Sequence, residues 1–413
     1  MGRSIARECQ APGTTVASGE VLVATEIGDP ARGLLPCPAA PLIGGVLQRR
    51  GIPVRYAPVP HCAETSQEDD GAVLFVTTAL QRNGEATGIG AAANRVDAVS
   101  AAAARAAVDE WSAVVGTRRL LGALSPWCDG ARRAMEQARK AVAHTDGPVF
   151  VYGHLAGTPQ ARAELAEAGA VFTTSLPDPP NGGALLIPAH GTAPSVLAEA
   201  AQRGLEIIDA TCPLVRGVHE ETRQFAERGD HVVVIGSPDH AVAPGIVGQA
   251  PGQTVVVGAP ADASRVGAAD PRRVSYVLEP GIPVEETATV SAALRSRFPA
   301  LRGPDPDRFC YAASDRAETV RVVATAADLV LVLGAEDHAD TRRLSAMARA
   351  CRARAYVIAE PGDIMASWLA GLAAIGLAES TIARPGLADE VTTALSGLGP
   401  LSVTHRRVTT KIA

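Results

Sequence analysis

Aromatic side chains are scarce in this chain. Phe, Trp and Tyr make up 3% of its 413 residues, too few for the stacked platforms that hold single-stranded nucleic acid. Positive charge is not in excess either. Thirty-eight Lys and Arg stand against 44 Asp and Glu, a net charge of −6, so the basic surface that nucleic acid requires is missing. No apolar run reaches the roughly 18 residues of a membrane span. The N-terminal stretch lacks a basic start followed by an apolar core, the pattern of an export signal. The chain is therefore expected in the cytoplasm, with neither membrane nor nucleic acid as partner. The spacing C-x-x-C does not occur, which argues against a zinc ribbon or a ferredoxin-type cluster loop. Disorder is excluded as the dominant state by 47% hydrophobic and 20% charged residues. The length allows two to four domains of roughly 100–200 residues each.

What is present is a repeat. Seven cysteines, an odd number, occur in a chain without an export signal, which predicts reduced thiols or metal ligands rather than disulfides. Cys128, Cys212 and Cys310 share one local setting. A segment of helical spacing follows each of them: "DGARRAMEQARKAVA", "PLVRGVHEETRQFAERG" and "YAASDRAETVRVVATAA". Pro213 suits a first helical position, where its missing N–H costs nothing. Strands "PVFVYG", "HVVVIG" and "DLVLVLG" come next and end in Gly153, Gly236 and Gly334, each 24 or 25 residues after its cysteine. Further apolar runs follow ("AVFTT", "QTVVVG", "RAYVIA"). Then come runs that end in a small or polar loop ("ALLIPAHG", "SYVLEPG", "AAIGLAEST").

This is one α/β unit written three times. Strands alternating with helices predict parallel sheets with covered faces, in which ligands gather at the carboxyl ends of the strands. The cysteines, the glycine turns and the final loops all fall at that end. A pseudo-threefold arrangement of the units would bring the three thiols to one centre. The predicted boundaries are 1–117 for an appended N-terminal α/β extension, 118–211, 212–309 and 310–399 for the three units, and 400–413 for a tail that includes a strand. Within the extension, residues 91–115 read as an Ala-rich helix and 62–71 as a polar loop. "GIGAAA" (88–93) is too short of a dinucleotide fingerprint to mark a nucleotide site.

A cysteine at a helix start faces the positive end of the helix dipole, which favours the thiolate, the form that binds metal. Three soft sulfur ligands suit an iron–sulfur cluster, zinc or copper(I). The plainer alternative is three buried core cysteines. Cys9, Cys37, Cys62 and Cys351 have no repeat context and read as simple thiols.

The segments "DATCPLV", "VHEE", "PAHG", "GHLAGTPQ", "GIVGQAPG" and "PDPDRFCYAASDRAETV" resemble those of the 4-hydroxy-3-methylbut-2-enyl diphosphate reductase family, over about residues 119–398. The resemblance implies three similar α/β domains around a central [4Fe–4S] cluster. It implies Cys128, Cys212 and Cys310 as the cluster ligands, with one iron left open for substrate. It also implies reductive removal of an allylic hydroxyl from a small-molecule substrate, with electrons from an external ferredoxin or flavodoxin. His190 matches a family histidine that contacts the diphosphate, and His240 matches the histidine of the pattern H-P-E.

Other pocket positions depart from the family. The H-P-E glutamate falls on Val242, the histidine of H-N-P-Q on Gly157, and a threonine on Pro280. The diphosphate-binding S-x-N-S-S-N-S run is "AEDHADT" (335–341), with His338, Ala339 and Asp340 at its core. A late serine falls near Ile382, beside Ser380 and Thr381. Carboxylates in a phosphate-binding segment repel the ligand, and valine cannot carry a proton. The expectation is thus a retained cluster with a rewritten pocket, in a paralogue of specialised metabolism. His190, His240, His338 and Asp239 are the candidate catalytic residues. His190, His240, His154, Asp340 and Ser380 are the candidate substrate contacts. An ordinary family reductase and a non-catalytic iron–sulfur sensor or binding protein are the two alternatives. The oligomeric state is not legible.

Overall fold

The computed structural model describes residues 6–62, 72–176 and 178–410. The expected polar loop at 62–71 lies almost wholly outside them. The chain forms two compact units, residues 125–319 with 407–413, and residues 1–124 with 320–406.

Two parallel sheets build the unit 125–319. In one, Val149–Tyr152 lies between Ala170–Thr173 and Ala184–Ile187, and Glu206–Asp209 adds to the edge. In the other, His231–Ile235 lies between Thr254–Val257 and Val274–Leu278. Strands such as His231–Ile235 and Ala184–Ile187 are nearly all β-branched or leucine and are buried on both faces, as parallel sheets covered by helices require. The helix Asp129–His144 turns Ala131, Ala134, Met135, Ala138 and Ala141 inward. The helix Pro213–Glu227 buries Val215, Val218 and Phe225. Both faces match the 3.6-residue spacing of the sequence.

The other unit has a third parallel sheet, with Leu329–Leu333 between Arg354–Ile358 and Ala374–Glu379. The same strand order therefore occurs three times, once per cysteine-led repeat. Here the sheet is extended by Arg118–Ala123 and then Leu401–His405. The strand that opens the segment 118–211 thus pairs within the sheet of segment 310–399, and the expected tail strand lies at its edge.

Residues 6–112 form a six-stranded sheet that is mostly antiparallel. One expectation is corrected here: the helix runs only over Ala98–Ser112, and residues 91–94 belong to the strand Ala86–Asn94, which also holds "GIGAAA". Gly and Ala at 88–93 pack in a strand covered on both sides, and Asp97 caps the helix by accepting the N–H groups of Val99 and Ser100 at 3.1 Å.

The extension shares its core with the third repeat. Trp111, Ile43, Val108, Leu331, Leu377 and Val391 belong to one buried cluster. The indole N–H of Trp111 donates to Leu42 O at 3.0 Å, and Arg49 donates to the carbonyl of Gly362. A second correction concerns cysteine: Cys9 and Cys62 form a disulfide, with Cα atoms 5.9 Å apart. Folding brings both into one small buried cluster, a proximity that spacing along the chain does not encode.

Candidate active site

In the unit 125–319, nearly every polar group of interest stands where a strand gives way to a loop. Cys128 caps the helix Asp129–His144, its sulfur accepting the N–H of Ala131 at 3.4 Å. Cys212 occupies the same capping position before Pro213–Glu227, and its own N–H is held by Ala189 O at 3.0 Å. Cys310 lies two residues before the helix Ala312–Thr325. Burial pushes the Cys310 thiol up, the N–H groups of Ala312 and Gly281 oppose this, and negative charge on Cys128 and Cys212 adds to it. Cys310 thus lies close enough to sense the other two thiols.

Gly130 marks the closest approach. A Cβ there would stand 2.7 Å from Cys212 Sγ and 3.8 Å from Cys128 Sγ. The donor set is three thiols at or just before helix starts, the chemistry of a soft-metal cluster. Among the described residues, no three His, Cys, Asp or Glu side chains are drawn in tightly enough to hold a single metal ion.

Three histidines collect beyond the strand ends of the two sheets. The His154 and His190 rings stack with centroids 5.6 Å apart, and His240 stands 5.9 Å from His190 at a tilt of 51°. His154 follows the glycine turn at 153, His190 lies in the "PAHG" loop, and His240 follows the turn at Gly236. A Cβ at Gly157 would meet only Met135 Cε, the movable end of a flexible side chain. The ring that stacks on His190 is that of His154, three residues earlier.

Burial, with help from His154 and His240, drops His190 to about 4. Burial, Arg162 and His240 also lower His154. His240 moves the other way: its hydrogen bond to Glu279 raises it against the opposing effect of burial. Nδ1 of His240 lies 2.9 Å from Glu279 Oε1, and the N–H of Ser237 donates to Oε2 at 2.7 Å.

Sequence reasoning missed Glu279. The one available signal was its position directly after a strand, in the loop "LEPG". Asp239, the nearby carboxylate in sequence, is exposed. Val242 is 1% exposed and belongs to an apolar core cluster. His219 was also missed. It is buried against Gly191 and Gly245, burial drops it to about 4, and its Nε2 has no hydrogen-bond partner.

His338, Asp340 and Ser380 lie in the other unit. His338 caps the helix Ala339–Ala350, accepting the Asp340 N–H at 3.3 Å. Asp340 Oδ2 accepts the N–H of Thr381 at 2.8 Å. Glu336 and Asp337 are exposed, while Ser380 is buried next to Gly334.

Parallel sheets with thiols and imidazoles beyond their strand ends define an α/β protein with a candidate soft-metal site. Residues 120–396 match the family described as LytB protein, and the chain belongs to that family. It is 38% identical over 296 residues to 4-hydroxy-3-methylbut-2-enyl diphosphate reductase 2 of Mycobacterium bovis, covering 71% of this chain and 90% of that one. It is 33% identical over 277 residues to the corresponding reductase of Ralstonia nicotianae, covering 67% and 86%. Its fold is that of the E-1-hydroxy-2-methyl-but-2-enyl-4-diphosphate reductase structure from Plasmodium falciparum, with a TM-score of 0.61 at 23% identity over 70% of this chain and 92% of the other. Residues 1–119 lie outside the family match. No helix among the described residues is long and apolar enough to cross a membrane.

Proposed function

We propose that this protein is a [4Fe–4S]-dependent reductase that removes a hydroxyl group from a small-molecule substrate other than the diphosphate named for its relatives. The observation that carries the first part is the repeated placement of Cys128, Cys212 and Cys310 at helix starts, beside the histidine trio. When bound, such a cluster would supply electrons and an open coordination position for the substrate. Cys128, Cys212 and Cys310 would hold it as thiolates. His190 and His154, kept neutral by burial, offer N–H and N: groups to the substrate, and His240 holds the proton that the departing hydroxyl needs. Two electrons and two protons convert the carbon–oxygen bond to a carbon–hydrogen bond and water. The electrons come from a ferredoxin- or flavodoxin-type donor, in the cytoplasm.

The loop 335–341 supports the second part. A diphosphate needs neutral or cationic donors. This loop carries Glu336, Asp337 and Asp340 instead. The Asp340 carboxylate accepts the Thr381 N–H. Carboxylates in such a loop disfavour a polyanionic ligand, an effect that solvent screens at the exposed Glu336 and Asp337. A pocket changed in this way supports a role in specialised metabolism.

The test is anaerobic purification followed by assay of 4-hydroxy-3-methylbut-2-enyl diphosphate with a strong chemical reductant. The expected result is a brown protein with about four irons per chain and negligible turnover of that diphosphate. Robust turnover would overturn the substrate reading, and a colourless zinc protein would overturn the cluster.

A further inference from the structure

Glu279 is a carboxylate with no exposed side-chain surface. Burial of such a group is costly unless donors surround it. Among the described residues, no Lys or Arg pairs with it. Its partners are the Ser237 N–H at 2.7 Å and the His240 imidazole at 2.9 Å. The backbone around the pair is shaped to admit it. A Cβ at Gly236 would collide with Glu279 Oε2. Gly281 has φ +99°, and a Cβ there would stand 3.2 Å from His240 Cε1. One glycine therefore makes room for the carboxylate and the other for the ring.

We infer that Glu279 is the positioning residue of the site: its buried carboxylate takes the Nδ1–H of His240, fixes the ring, and leaves Nε2 as the edge that meets the substrate. This role rests on the reading of His240 as a substrate contact given above. The arrangement is the general one in which a carboxylate sets the tautomer and orientation of a working histidine. It also separates the three histidines. His154 and His190 have no carboxylate partner among the described residues, and they face each other, His240 and Arg162. His240 faces Glu279 on one side and His190 on the other. Of the three rings, His240 is therefore the one whose surroundings favour the proton. A water-sized cavity of about 10 Å³, lined in part by Glu279, Glu221, Arg308 and Cys310, lies behind the carboxylate.

The experiment is nitrogen NMR of the full chain with labelled histidine, with His240→Asn used to assign the resonance. In the wild-type protein, neutral His240 should be the Nδ1–H tautomer and should titrate above ordinary histidine. Glu279→Gln keeps the shape and a hydrogen-bonding group but removes the charge. It should move the His240 midpoint downward, while Asp239→Asn should leave it in place. A wild-type His240 in the Nε2–H tautomer overturns the inference, whatever the variants do. So does a Glu279→Gln protein with an unchanged thermal midpoint and an unchanged His240 titration. These readouts need neither cluster nor substrate, so they can fail or succeed separately from the assay of the diphosphate.

Discussion

Replacing Gly130 with alanine should separate the cluster from the fold. Gly130 is the second residue of the helix Asp129–His144, and a Cβ there would stand 2.7 Å from Cys212 Sγ and 3.0 Å from Cys212 Cβ. Ordinary contact needs at least about 3.5 Å, so the sulfur must move by about 1 Å. The Cys212 backbone cannot follow, because its N–H is tied to Ala189 O and Pro213 begins the next helix. The side chain must therefore rotate away. Metal–ligand distances tolerate only about 0.2 Å, so a displacement of this size removes one ligand. Stability should change far less. Alanine gains up to about 1 kcal/mol in helix propensity, against roughly 1–3 kcal/mol for overpacking. The assay is iron and sulfide per chain after anaerobic reconstitution, with a thermal melt beside it. Gly217→Ala is the control, since a Cβ at that helical position meets nothing within 4 Å. It should keep the iron and raise stability by about 0.5–1 kcal/mol. A Gly130→Ala protein with the full iron content would refute the convergence of thiols on this point.

Three further outcomes follow from other parts of the molecule. Asp230 is buried with no exposed side-chain surface, bonded to Ser275 Oγ and Arg228 Nη2 at 2.6 Å and facing Arg302; Asp230→Asn should cost about 1–3 kcal/mol in denaturant unfolding. Burial raises that carboxyl, but Ser275 and the two arginines outweigh it and hold it below its usual value. Its contribution is therefore present above about pH 4 and lost as pH falls through the lower folded value, and a melt series on wild type and Asp230→Asn should converge in acid. Reducing Cys9–Cys62, which closes a loop of 53 residues, should lower the stability of its unit by up to about 4 kcal/mol on the chain-entropy account; a melt unchanged by reductant would contradict it. Trp111→Ala should cost about 3–5 kcal/mol and should weaken the third repeat along with the extension, read by hydrogen exchange in the strand Leu329–Leu333, because both contribute to one core.

The sequence by itself determined the repeat, the three parallel sheets and the three special cysteines. Those features depend on local rules: β-branched runs for covered strands, 3.6-residue spacing for helices, and a cysteine at each helix start. It also marked His190 and His240, which follow strands in recognisable loops. Only the tertiary structure decided the rest. Glu279 is separated from His240 by a whole crossover, and the two meet because adjacent parallel strands end side by side. His154 stacks on His190 because the strands that precede them, Val149–Tyr152 and Ala184–Ile187, are neighbours in one sheet. Cys9 and Cys62 pair, and the extension merges with the third repeat, through burial of apolar surface distant in sequence. Contacts of that kind arise from packing many residues at once, and no spacing along the chain specifies them.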